Sequence, residues 1–271
     1  MTAYPFRTAL VTGASSGIGE AMVRRLAADG VATVVVARRV DRLRALAAEL
    51  PGLDVLVADL ATDANVGEVA AQLEDPAHPI DLLVNNAGFG TSGNVAELPP
   101  RRLADEIRVN ALALTTLTAV ALPLMLQRRR GWVLNVSSVA GFQAIPGFAV
   151  YSATKAYVTR FTEGLHEELR GTGVRATALC PGLTRTEFTE ISRNLVPEEA
   201  RRDPRYPPFA WLSAEAVAAR GLRDVAGGVA VSVPGVAYRI GVAASAIIPR
   251  GLKRRAAGRA RSSGRRDTID D

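Results

Sequence analysis

Tyr151 and Lys155 stand four residues apart, and the chain holds just one other lysine, Lys253. On a helix, residues i and i+4 share a face, so the ammonium lies beside the phenol. A tyrosine with a pKa of ~10 is a poor acid–base group at neutral pH, and a neighbouring cation favours phenolate. The spacing therefore predicts a Tyr151 whose pKa is drawn down by Lys155. Such a phenol gives a proton to a carbonyl oxygen or takes one from an alcohol. An ordinary half-exposed aromatic on an amphipathic helix has the same spacing. Tyr157 has no lysine four residues beyond it.

A second chemical signal lies near the start of the chain. The apolar run 8–12 leads into Gly13-Ala14-Ser15-Ser16-Gly17-Ile18-Gly19 and then an amphipathic stretch. Glycine is needed where a backbone turns sharply and approaches a pyrophosphate closely, and a helix N-terminus offers unpaired N–H groups with a positive dipole. Gly13, Ser15, Ser16, Gly17, Ile18 and Gly19 thus read as a phosphate cradle. The spacing is GxxxGxG rather than the common GxGxxG, and a tight strand–helix turn without a ligand uses the same residues. A site for NAD usually carries an acid at the end of the second strand, about 20 residues on, for the ribose 2′-hydroxyl. Here that strand ends at Ala37-Arg38-Arg39, with no acid before Asp41. Arg38 suits a 2′-phosphate through a charge-assisted contact, so the expected cofactor is NADP(H), preferred over NAD(H). Arg42 and Arg44 follow closely, and a solvated first helical turn looks the same.

These groups need a scaffold that brings them together. Apolar runs at 8–13, 31–37, 53–60 and 80–88 alternate with amphipathic stretches at 18–28, 39–50 and 65–73, the pattern of strands buried on both faces by helices. A helix from about residue 100 to 126, a strand at 131–138, a helix from about 151 to 170 and a strand ending at Pro181-Gly182 continue the pattern. The fold class is α/β, a doubly wound parallel sheet. Residues 188–212 break the rhythm with charges and four prolines and read as a substrate lid. A helix from about residue 213, a short strand at 229–233 and an apolar or amphipathic segment up to Ile248 follow. The expected organisation is one catalytic domain over residues 1–249 and a basic, disordered tail over 250–271.

With 271 residues, 48% hydrophobic and 22% charged, the chain is neither disordered, collagenous nor coiled-coil. One cysteine, Cys180, excludes an internal disulfide, and with two histidines, His78 and His166, it leaves too few ligands for a zinc site. No metal is expected. Cys180 ends an apolar strand and reads as a buried, inert thiol; His166, near Glu163, Glu167 and Glu168, reads as a solvated face, and His78 as loop.

Taken together, TGASSGIG at 12–19, NNAG at 85–88, Asn110, the NVSS run ending at Ser138, Tyr151-Ser-Ala-Thr-Lys155 and Pro181-Gly182 resemble the short-chain dehydrogenase/reductase family in order and spacing, over about residues 7–187. The resemblance implies a single-domain Rossmann fold with a seven-stranded parallel sheet, and hydride transfer between a nicotinamide and a carbonyl or secondary-alcohol carbon. It implies roles as well. Tyr151 is the general acid/base, and Lys155 depresses its pKa and bonds the nicotinamide ribose. Ser138 polarises the substrate oxygen, its neighbour Ser137 pointing to the other side of the strand end. Asn110 holds a water linking Lys155 to solvent. Asp59, followed by Leu60, contacts the adenine, and Asn86, Ala87 and Gly88 line its ribose. Pro181, Gly182, Thr184 and Thr186 border the nicotinamide, Thr186 bonding the carboxamide. Likeness to members acting on hydrophobic carbonyls implies a steroid-like or 3-oxoacyl substrate. The family also implies a homo-oligomer, dimer or tetramer, in which the helices near 100–126 and 151–170 pair.

Residues 250–271 carry eight arginines and lysines against three aspartates, a net +5 of the chain's +6. Such a tail attracts phosphates, and a solvated terminus has the same composition. Between Asp224 and Arg250 only Arg239 is charged, yet glycines and Pro234 interrupt the ~20 residues that a bilayer crossing needs. With the tail behind it, residues 236–248 suit a peripheral membrane contact. Nucleic-acid binding is not expected, because the tail lacks interleaved aromatics. The first residues lack the apolar run of a secretory signal, so the expected location is the cytoplasm. A catalytically silent dinucleotide sensor on the same fold is the rival reading, against which the Ser138–Tyr151–Lys155–Asn110 set argues.

Overall fold

The computed structural model describes residues 4–187, 210–249 and 251–252. Most of the expected lid and nearly all of the basic tail lie outside the described residues. Among the described residues the strands are β1 (Thr8–Thr12), β2 (Ala32–Ala37), β3 (Leu53–Val57), β4 (Leu82–Asn85), β5 (Gly131–Val136), β6 (Val174–Leu179), β7 (Thr184–Arg185), β8 (Leu212–Ser213) and β9 (Val231–Ser232). Seven of them form a parallel sheet in the order β3-β2-β1-β4-β5-β6-β9, and β7 pairs with β8 apart from it. The order reverses between β1 and β4. In an open α/β sheet, the crevice at the carboxyl ends of such a pair is where ligands bind. The turn after β1 and the NNAG run after β4 both open there.

Helices cover both faces. On one side α1 (Gly17–Ala28), α2 (Val40–Glu49) and α7 (Ala214–Gly227) bury Met22, Leu26, Leu43, Val217 and Leu222 against Phe6, Val11 and Leu134 of the sheet side. On the other, α3 (Asp63–Glu74), α5 (Leu114–Gln127) and α6 (Ala149–Glu168) bury Val69, Leu117, Met125 and Leu165 against Leu10, Leu83 and Val133. Each such side chain contributes about 2 kcal/mol on removal from water. The continuous Val/Leu runs of β1, β4 and β5 are buried along their lengths because both faces are covered.

Two elements differ from the expectation. The run 53–60 is not buried on both faces: β3 is the sheet edge, and Val55 and Val57 are exposed. The single helix expected from 100 to 126 is α4 (Pro100–Ile107) joined to α5 through a π-helical turn, Arg108–Ala113. Asn110 lies in that turn. A π turn inserts one extra residue into the helix and is common at functional sites.

Helix α8 (Val236–Ile247) lays Tyr238 and Val242 against Val139, Phe142, Cys180 and Val233. Its outer face is apolar and exposed, with Ile240 64% and Ile247 85% accessible.

Candidate active site

The glycine turn is built by close contacts. Gly13 and Gly17 have φ of 67° and 57°, in the left-handed region that favours glycine. A Cβ on Gly19 would sit 2.3 Å from the Gly13 carbonyl oxygen and 2.4 Å from Asn86 Nδ2. One on Gly17 would meet Thr186 Cγ2 at 3.0 Å, so Thr186 lies over this turn. Ser16 precedes α1 without a side-chain cap, which leaves the first-turn N–H groups directed at the crevice. An open glycine cradle ending in such a helix start fits a dinucleotide pyrophosphate. Ile18 packs its side chain on the core, so its contribution to the cradle is backbone.

Asn86 acts differently from the expectation. Its Nδ2 donates to the carbonyls of Thr12 (3.0 Å) and Gly13 (3.2 Å), fastening the glycine turn rather than facing the crevice. Thr12, not singled out from the sequence, accepts from the N–H groups of Asn86 and Ala87, each at 3.0 Å, and donates to Val84 O at 3.3 Å. Leu60 is likewise in the core, and only its backbone is available to a ligand. Asp59 lies just past the end of β3, its Oδ1 accepting from Ala61 N–H at 3.1 Å.

At the end of β2 the two arginines divide. Arg38 is 67% exposed and reaches toward Asp59, Nη1 to Oδ2 at 4.0 Å. Arg39 turns into the glycine cradle: Nη2 donates to Ser16 Oγ at 2.7 Å and to Ser15 O at 3.2 Å, and Nε to Ser15 Oγ at 3.1 Å. Its Nη1 meets Glu187 Oε2 at 2.7 Å, and Arg42 pairs with the other oxygen of that carboxylate. The two arginines hold the Glu187 carboxyl below its usual range. Sequence reasoning chose Arg38; the side chain that touches the cradle is Arg39. Both follow the same strand, and only the start of α2 at Val40 fixes which way each points.

The catalytic candidates converge at the ends of β5 and α6. Ser138 follows β5 and bonds the Tyr151 phenol through its hydroxyl, which also accepts from Ala140 N–H at 3.1 Å. Ser137 points the other way, donating to Lys155 O at 2.7 Å and sharing a bond with Thr159 Oγ1 at 2.7 Å. Lys155 is buried, and its Nζ donates to Val136 O at 2.8 Å and lies 5.8 Å from the centre of the Tyr151 ring. Asn110 Nδ2 donates to Phe89 O (2.8 Å) and Thr154 Oγ1 (3.1 Å), and its Oδ1 accepts from Phe89 N–H at 3.0 Å. Both ends of the Asn110 amide therefore serve the protein, tying the loop after β4 to α6; its two Nδ2 donors are used, and Oδ1 keeps one lone pair with which a water could bond. Thr184 Oγ1 donates to Gly182 O at 3.0 Å, and Gly182 is required because a Cβ there would fall within the Tyr238 ring, 2.1 Å from Cζ.

The pKa of Tyr151 runs against the sequence expectation. Burial pushes the phenol up to about 12, the Ser138 hydrogen bond opposing it and the Glu106 charge adding to it. Burial also draws Lys155 down to about 8. Proximity to Lys155 alone predicted a depressed tyrosine; desolvation raises it here, with the Ser138 hydrogen bond as the opposing contribution. Cys180 is buried as expected. His166 is not a solvated face: it is half-buried, its Nδ1–H donating to Ala176 O at 2.9 Å.

The crossover sheet, the glycine cradle at its switch point and the Ser–Tyr–Lys cluster beside it define a nicotinamide-dependent oxidoreductase. The chain belongs to the short-chain dehydrogenase/reductase family, whose short chain dehydrogenase model matches residues 7–195, and it acts on CH–OH groups with NAD(P). It is 36% identical over 239 residues to an uncharacterized oxidoreductase of Myxococcus xanthus (strain DK1622), covering 86% of this chain and 90% of that one. A serine 3-dehydrogenase of Agrobacterium fabrum (strain C58 / ATCC 33970) is 40% identical over 188 residues, 68% of this chain and 74% of the relative. Among solved structures, the short-chain dehydrogenase from Sphingobium yanoikuyae in complex with NADPH is similar with a TM-score of 0.78 and 33% identity, covering 88% of this chain and 92% of that one.

Proposed function

We propose that the chain is an NADP(H)-preferring reductase or dehydrogenase of a hydrophobic carbonyl or secondary alcohol. The observation that carries the cofactor preference is Arg39 seated on Ser15 and Ser16, with Arg38 beside it and no acid at the end of β2. A 2′-phosphate is an anion like the Glu187 carboxylate that Arg39 and Arg42 now hold, with more charge and three acceptor oxygens, and would replace it. Residues 13–19 would cradle the pyrophosphate, Asp59, Leu60 and residues 86–88 the adenosine, and Pro181, Gly182, Thr184 and Thr186 the nicotinamide end. When bound, the dinucleotide supplies or accepts the hydride.

The remaining steps fall to this chain's own groups. Tyr151 donates its Oη proton to the carbonyl oxygen in reduction, or takes the alcohol proton in oxidation, while Ser138 Oγ holds that oxygen. A phenol with a raised pKa is protonated at neutral pH, the form that reduction consumes. Lys155 has three N–H donors, one on Val136 O, and would bond the nicotinamide ribose. The segment between Ser138 and Tyr151 supports an apolar substrate: beside the phenol it carries half-buried Ile145 and Phe148, Phe148 packing edge-on to Tyr151 with ring centres 6.2 Å apart.

The test is turnover of a panel of steroid-like ketones, 3-oxoacyl thioesters and serine with NADPH and NADH. Steady turnover of an apolar ketone with NADPH is expected, and Arg39→Ala weakens NADPH at least about tenfold more than NADH, since only the former loses a charge-assisted pair. A tenfold preference of the parent protein for NADH sinks the cofactor assignment. Turnover of serine alone replaces the substrate class, and no turnover at all favours the silent sensor.

The same proposal extends to assembly and location. Exposed Ile107, Leu112, Leu126 and Tyr157 along α4, the π turn, α5 and α6 support a homo-oligomer paired through these helices. The apolar outer face of α8 ahead of the basic residues supports a cytoplasmic protein in peripheral contact with membrane. Light scattering at micromolar concentration, with and without anionic vesicles, reads both. A dimeric or larger mass is expected, shifting onto vesicles at low salt and off them at high salt. A monomeric mass, or recovery free of vesicles in every condition, refutes the respective part.

A further inference from the structure

Glu187 stands 148 and 145 residues along the chain from the two arginines it meets, Arg39 and Arg42, and its immediate neighbours bring it to them. Thr184 and Arg185 are tied into β7, which pairs with β8, and Thr186 lies so close over the glycine turn that a Cβ on Gly17 would meet it at 3.0 Å. The next residue therefore enters the mouth of the cradle. Its Oε2 accepts from Arg39 Nη1 at 2.7 Å and its Oε1 from Arg42 Nη1, so one carboxylate bridges two guanidinium groups. The bridge holds the carboxyl below its usual range, and at neutral pH it is charged.

Arg39 does not depend on this contact for its place. Its Nη2 and Nε are held by Ser15 and Ser16, and only Nη1 is turned to Glu187. With the carboxylate gone, that N–H edge stays at the end of β2, where a dinucleotide on a doubly wound sheet presents its adenosine ribose. The charged oxygens of a ribose phosphate and of a carboxylate compete for the same donors. A neutral 2′-hydroxyl has no charge with which to dislodge an ion pair.

We infer that Glu187 is a specificity-determining residue of the cofactor site, an internal anion that occupies the Arg39–Arg42 seat and must leave it when a 2′-phosphate arrives. The inference rests on the NADP(H) reading proposed above and gives Glu187 a sign: its carboxylate opposes NADPH and is indifferent to NADH. Both ion pairs are half-exposed, and pairs of that kind are individually weak, so a phosphate displaces the carboxylate at a modest loss of affinity.

The test is calorimetric binding of NADPH and NADH to the parent protein, Glu187→Gln and Arg39→Ala in one buffer. Glu187→Gln keeps the size of the side chain and removes its charge. NADPH is expected to bind that variant about three- to tenfold more tightly, the worth of two half-exposed ion pairs, with NADH within about twofold of the parent. Adenosine 2′,5′-bisphosphate against adenosine 5′-phosphate repeats the contrast without the nicotinamide end, and high salt narrows the gap between parent and variant. If Glu187 instead organised the arginines for phosphate, Glu187→Gln would bind NADPH more weakly, and that result overturns the inference, as does unchanged NADPH affinity. A loss confined to NADH overturns it too, making Glu187 the acceptor for the ribose hydroxyl. Glu187→Ala removes the acceptor along with the charge, has the same expected sign, and serves if the first variant does not fold. Arg39→Ala separates the two levels. Where the parent favours NADPH and Arg39→Ala abolishes that preference while Glu187→Gln changes nothing, the inference alone falls. Where NADPH tightens in Glu187→Gln although the parent favours NADH, Glu187 stands as the competitor and the cofactor preference falls.

Discussion

Tyr151→Phe lowers turnover about 10³-fold while NADPH binds within about twofold of the parent affinity. The substitution keeps the ring that packs against Phe148 and removes the hydroxyl that meets Ser138. Because the role proposed for the lost group is proton transfer, the loss is expected in kcat and not in cofactor affinity. Single-turnover absorbance of NADPH with a ketone found in the panel, together with NADPH fluorescence titration, separates the two. Near-normal kcat in the variant would remove Tyr151 from the acid/base role.

Gly19→Ala has the second large effect, and it falls on folding and cofactor binding together. The added methyl has backbone on one side, Gly13 O at 2.3 Å, and the Asn86 amide on the other at 2.4 Å. That amide is itself held by the Thr12 and Gly13 carbonyls and cannot swing away without releasing them. Relief must come from moving α1 against the turn, an overpacking cost of about 2 kcal/mol and a melting temperature roughly 4 to 8 °C lower. NADPH affinity drops at least about tenfold, because the helix N-terminus no longer meets the turn in register. Gly164→Ala, with nothing within 4 Å of the added Cβ, is the control and leaves affinity unchanged. Equal NADPH affinity for Gly19→Ala and the parent would contradict the close approach.

The alternation of apolar runs with amphipathic stretches made the layered sheet legible, because strands buried on both faces cannot hide their composition. The left-handed glycines and the Tyr151–Lys155 spacing were legible for the same reason: few residue types satisfy those positions. Other features leave no such mark. The π turn at Arg108–Ala113 changes which carbonyl each N–H meets without changing the order of apolar residues. That β3 is an edge depends on strand order, which connection lengths do not encode. Arg38 and Arg39 are chemically alike, and only the backbone direction entering α2 sends one to Asp59 and the other to Ser16. The sign of the Tyr151 shift went unread because spacing reports the distance of a charge and says nothing of how little water surrounds it.

The Tyr238 hydroxyl accepts from Leu183 N–H at 3.0 Å and donates to Ala210 O at 2.7 Å, and beside these points β7 pairs with β8. One side chain from α8 thus clamps both ends of the segment between residues 183 and 210 at the rim of the catalytic crevice. With its ends fixed, the segment is a closed excursion whose length is thermodynamically cheap to vary: each doubling adds only about 0.6 kcal/mol of closure entropy. Insertions, deletions and exchange confined to residues 188–209 can therefore proceed without removing Thr184, Thr186, Glu187 or the Ser138–Tyr151 pair. The clamp makes residues 188–209 a replaceable cartridge, and it gives a protein engineer a defined pair of splice points at which that stretch is exchanged and the rest of the chain kept.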